Sequence, residues 1–113
     1  MTSVLLVRGS SGAFRSCRAE GHSGYAAAGS DIVCSAVTVL LRTVMQTLDD
    51  SAGIRLEADT SARGVLFFSA FAERPSPETD ARLVCAGDFL EHGFTSLAEE
   101  YPGNVELRIQ TGK

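Results

Sequence analysis

Residues 30–50 read SDIVCSAVTVLLRTVMQTLDD, and the spacing of their apolar side chains decides the architecture. Ile32, Val33, Ala36, Val37, Val39, Leu40, Leu41, Val44, Met45 and Leu48 cover more than half of a helical circumference. A helix this apolar on several sides belongs at the centre of a fold, under sheet on one side and under another helix or a partner subunit on the other. Ser30-Asp31 supplies its start, because either side chain accepts a hydrogen bond from a backbone amide one turn on. The helix is expected to run to Asp50 and stop before Gly53.

Upstream, Val4–Arg8 reads as a short strand, Ser10-Ser11-Gly12 as a turn, and Ala13–Glu20 as the returning strand of a hairpin. Between that hairpin and the helix lies Gly21-His22-Ser23-Gly24-Tyr25-Ala26-Ala27-Ala28-Gly29, whose glycines favour a shaped loop. Downstream, Ile54, Leu56 and Ala58 alternate with Arg55, Glu57 and Asp59, the period of a half-buried strand. A turn at Thr60–Gly64 leads to a strand at Val65–Ala72, rich in phenylalanine at Phe67, Phe68 and Phe71. Ser76 is placed to cap a second helix with Pro77 in its first turn. Leu83, Val84, Leu90, Phe94, Leu97, Ala98 and Tyr101 line one face of it, and Pro102-Gly103 stops it. Val105, Leu107 and Ile109 alternate in a last strand. The order β-β-α-β-β-α-β predicts an α+β, two-layer fold with helices packed on a largely antiparallel sheet.

The chain has 113 residues, 44% hydrophobic and 21% charged, which suits one domain over residues 1–113 with a real core. Its net charge of −4 argues against direct nucleic-acid binding, which calls for a clustered basic surplus. No apolar run is expected to reach membrane-span length, since Ile32–Leu41 is broken by Cys34, Ser35 and Thr38. Met1–Arg8 lacks the basic start and long apolar stretch of a signal peptide. The expected compartment is therefore the cytoplasm. Three cysteines, Cys17, Cys34 and Cys85, fit a reducing environment.

The chemistry-bearing residues lie where the loop meets the central helix. With a start at Ser30 or Asp31, Cys34 falls in the first turn, where the positive end of the helix dipole stabilises a thiolate. His22, twelve positions upstream on the glycine-rich loop, is placed to take the thiol proton and later protonate a leaving amine. Amides of the same turn are candidates to hold a tetrahedral oxyanion. Asp31 is read as a cap or as a group that orients His22, since a carboxylate against sulfur would oppose the thiolate. Thr38, one turn after Cys34, supports the site from beneath, and Gly21 is the hinge beside His22. Taken singly, a cysteine in an apolar helix reads as packing, a loop histidine as solvated and Asp31 as a plain cap. Their combination points to a nucleophile and its base. Cys17, His22, Cys34, His92 and Cys85 lack the paired spacings of a zinc site, so no cofactor is expected. His92 is read as solvated and Cys85 as core.

Gly21, His22, Gly24, Tyr25, Ala26, Gly29, Asp31, Ile32, Val33 and Cys34 together resemble the signature of the bacterial ribosomal-processing cysteine protease family, GHxGYA followed by GxDIVC. The ends of the chain match only in pattern, apart from Ala98-Glu99-Glu100-Tyr101-Pro102, which resembles the family's helix end. The resemblance implies a homodimeric cysteine endopeptidase with a dyad of Cys34 and His22. It implies removal of an N-terminal extension from large-subunit ribosomal protein number twenty-seven, with cleavage after an aromatic residue. The family's serine four positions after the cysteine is Thr38 here, which keeps the hydroxyl and adds a methyl. Phe67, Phe68 and Phe71 offer an aromatic-binding surface, with core packing as the simpler fate. Two competing readings are a non-catalytic ribosomal-protein binding module and a thiol redox sensor. The sensor lacks a CxxC pair.

Overall fold

In the computed structural model, which describes residues 1–21, 32–61 and 64–112, the chain forms seven elements in the expected order. They are β1 (Thr2–Arg8), β2 (Phe14–Glu20), α1 (Ile32–Asp49), β3 (Ile54–Asp59), β4 (Val65–Ala72), α2 (Pro77–Glu100) and β5 (Val105–Thr111). One sheet holds all the strands in the order β3-β4-β2-β1-β5. The pairs β1–β2, β2–β4 and β3–β4 are antiparallel, and β1–β5 is parallel. The fold is α+β with a mixed sheet. A parallel pair requires a crossover rather than a hairpin, and α2 is the element that carries the chain back to β5.

Register explains the core. Leu6 pairs with Cys17, and Cys17 with Phe68, so three strands present one buried row. Val4, Leu6, Cys17, Ala19, Phe68 and Ala70 form a single cluster with the apolar stripes of both helices. Phe14 stacks on Phe68 with ring centroids 5.1 Å apart. Of the three phenylalanines in β4, only Phe68 enters this core, while Phe67 is half-buried and Phe71 is 48% exposed.

The inner stripe of α1 is Val33, Val37, Leu41, Val44 and Leu48, the three- and four-residue steps of one face. α1 meets the sheet along this stripe and α2 along its flank, where Leu40 approaches Gly93, while Ile32 at 58% and Val39 at 62% are exposed. By length and composition, with 18 residues and mean hydropathy 1.4, α1 is apolar enough to cross a bilayer, contrary to the reading of its sequence. Its buried stripe within the cluster assigns it to the core of this fold.

The start of α2 follows the sequence closely. Ser76 Oγ accepts from the Thr79 amide at 3.1 Å, and Thr79 Oγ1 accepts from the Ser76 amide at 2.9 Å, a reciprocal cap. Cys85, expected in the core, is exposed on α2. The buried face runs through Leu83, Ala86, Gly87, Leu90 and Phe94, and Cys85, about half a turn past Leu83, points away from it. On the edge strand β3 only Ile54 is buried, Leu56 is half-buried and Ala58 is exposed.

Candidate active site

The first turns of α1 meet the ends of three strands at one end of the buried sheet face. There β1 begins, β2 ends and β4 begins, aligned by the pairings Ser3–Glu20 and Glu20–Val65. The junction leaves a cleft of about 370 Å³. Cys34, Val37, Thr38, Leu41 and Arg42 of α1 form one wall, with Thr2, Ala19, Glu20, Gly21, Gly64, Val65 and Leu66 among the residues opposite.

Cys34 is the third residue of α1 and is half-buried. That position puts its side chain at the positive end of the helix dipole, as the sequence requires of a nucleophile. Thr38 lies one turn on, and its hydroxyl donates to the Cys34 carbonyl oxygen at 2.9 Å. Thr38 thus supports the Cys34 backbone rather than its sulfur.

Gly21 stands at the rim of the cleft with φ of +91°, a backbone region that side chains disfavour. A Cβ there would lie 2.6 Å from the Met1 carbonyl oxygen, and the Gly21 amide donates to the Gly64 carbonyl at 3.1 Å. Glycine is therefore needed where β2 leaves the sheet. His22 and Asp31, together with the rest of the glycine-rich loop and the Ser30 cap, lie outside the described residues. Of the site residues read from sequence, the structure brings Gly21, Cys34 and Thr38 to one cleft.

Two lining residues escaped the sequence reading. Thr2 is 3% exposed, and its hydroxyl has no hydrogen-bond partner among the described residues. Arg42 continues the Cys34–Thr38 face by one more helical step, a signal that extending the four-residue spacing along α1 exposes. The other two cysteines do not line the cleft. Burial pushes the Cys17 thiol from the ordinary value near 9 up to about 12, which leaves it unreactive at neutral pH. His92 is exposed on α2, as its sequence position suggested.

A half-buried thiol at a helix start, over a floor of Ala19, Val37, Leu41 and Leu66, suits attack on the carbonyl of a peptide carrying an apolar side chain. The sequence profile of the family described as cysteine protease Prp matches residues 1–106. The chain belongs to that family. It is accordingly a cysteine protease. No curated protein sequence matches it. Solved structures share the fold. The S. aureus ribosomal processing protease Prp, with a covalently linked product peptide, aligns at TM-score 0.74 and 20% identity over 97% of this chain and 100% of that one. The same protease with a substrate peptide gives TM-score 0.71 and 18% identity over 97% and 100%. SMU.848 from Streptococcus mutans aligns at TM-score 0.73 and 26% identity over 98% of this chain and 95% of that one.

Proposed function

We propose that the chain removes a short N-terminal extension from a bacterial large-subunit ribosomal protein, number twenty-seven, cutting after an aromatic residue. Cys34 is the nucleophile and His22 its proton-transfer partner. The observation that carries this reading is Cys34 in the first turn of α1, lining a cleft with an apolar floor. His22 takes the thiol proton, and the thiolate attacks the scissile carbonyl. Collapse of the tetrahedral adduct expels the new amine, protonated by His22, and leaves a thioester on Cys34. Water activated by His22 then hydrolyses the thioester, which frees the carboxylate and regenerates the thiol. Asp31, the residue before α1, caps the helix or orients His22. Leu41 and Leu66 in the cleft floor suit an aromatic side chain. The S. aureus structures with product and substrate peptides support the same class of substrate by similarity of fold. The protein acts in the cytoplasm, where ribosomal proteins are made, and as a homodimer, consistent with the exposed Ile32 and Val39 on the outer face of α1.

Incubation with a peptide spanning the extension and the first mature residues tests the reading by mass spectrometry. Two fragments, split after the aromatic residue, are expected, and Cys34→Ala and His22→Ala are expected to abolish them. An intact peptide, or cleavage that survives Cys34→Ala, overturns it.

A further inference from the structure

On α1, Cys34, Thr38 and Arg42 succeed one another at four-residue steps, so thiol, hydroxyl and guanidinium form a polar stripe along one wall of the cleft. Val37 and Leu41 form the apolar strip beside it. The described ionisable side chains lining the cleft are Cys34, Glu20 and Arg42. Glu20 is engaged by Arg18, Nη2 to Oε2 at 3.2 Å. Arg42 is exposed and makes no ion pair with another described residue.

Eight helical residues separate Cys34 from Arg42, about 12 Å along the axis. An extended peptide advances about 3.3 Å per residue, so a chain lying along the stripe meets Arg42 about three or four residues from the bond facing Cys34. We infer that Arg42 reads an acidic side chain at that distance from the scissile bond. The preferred peptides then combine an apolar residue over the floor with Asp or Glu near Arg42. This rests on the cleft being the peptide site of the proposed protease.

The test uses labelled ten-residue peptides with phenylalanine before the scissile bond. Glu, Gln or Lys is scanned through the neighbouring positions on both sides, and binding to Cys34→Ala protein is read by fluorescence anisotropy at low salt. Glu at the third or fourth position on one side is expected to bind about threefold to fivefold more tightly than Gln, with the preference fading as salt rises. Arg42→Gln should erase the preference, and Arg42→Glu should turn it toward Lys. A flat scan, or a Glu preference that survives Arg42→Gln, overturns the assignment. Cleavage by the unmodified chain separates the two ideas. Cleavage with a flat scan removes the role of Arg42 and keeps the protease, whereas Arg42-dependent binding without cleavage removes the protease and keeps the role of Arg42.

Discussion

Thr2 is 3% exposed at the cleft, and among the described residues its Oγ1 lacks a partner, unlike the other buried hydroxyls. Ser51 Oγ donates to the Thr47 carbonyl at 2.7 Å, and Thr79 Oγ1 donates to the Ser76 carbonyl at 3.1 Å. A buried hydroxyl without a partner costs about 1–3 kcal/mol relative to an apolar group of the same shape. Thr2→Val is therefore expected to stabilise the fold by about 1 kcal/mol in urea unfolding, while Thr2→Ser yields no gain. A less stable Thr2→Val would show that the hydroxyl is satisfied in solution. At this scale the sequence was informative where spacing alone fixed neighbours, as with Thr38 one turn from Cys34. It was silent on Thr2, because burial at a strand's first residue depends on what the rest of the chain lays over it.

Between elements, Arg8 joins the end of β1 to α2. Its guanidinium donates to the Gly12 carbonyl at 2.8 Å, the Val84 carbonyl at 3.2 Å, Asp88 at 2.7 Å and Glu91 at 2.9 Å. Four directional bonds hold it flat over Gly87, where a Cβ would lie 2.6 Å from Nε. Ala is a better helix former than Gly by about 1 kcal/mol, so Gly87→Ala on an open helix face would stabilise. Here the methyl meets a pinned side chain, and a net loss of about 1–2 kcal/mol is expected in urea unfolding. The same change in an Arg8→Met background should be neutral or favourable, a coupling that a double-mutant cycle measures. Equal effects in both backgrounds would mean that Arg8 yields without cost. Elements with local signals were legible: the Ser76 cap, the β1–β2 hairpin and the β4 run all lie where the residues put them. The parallel β1–β5 pairing was not, since no turn joins those strands and the route of α2 decides their direction. What covers the far side of α1 was left open between a helix and a partner subunit, because a wide apolar arc cannot tell packing within the chain from a surface left for another one.

Across the whole molecule, burial sorts the three thiols in a way that spacing could not: Cys17 lies in the core, Cys34 at the cleft and Cys85 at the surface. Strand alternation could have marked Cys17, which pairs with Leu6 and Phe68 in the buried row. Cys85 falls about half a turn from Leu83 and so lies off the buried face of α2, which helical spacing from Leu83 and Leu90 could have marked. The burial of Cys17 has a consequence for global stability, because the folded thiol holds its proton up to about pH 12 while an exposed one releases it near 9. The folded value is the higher one, so the unfolded chain binds fewer protons in this window, and stability falls as pH rises. The contribution is fully present below pH 9 and is lost progressively toward about 12. Urea midpoints of the unmodified chain should thus drop more steeply above pH 9 than those of Cys17→Ala, whose cavity lowers stability at every pH without adding a slope. Parallel curves for the two proteins would mean that the core admits the thiolate, through water or local opening at β2, and that the buried row is looser than its packing implies.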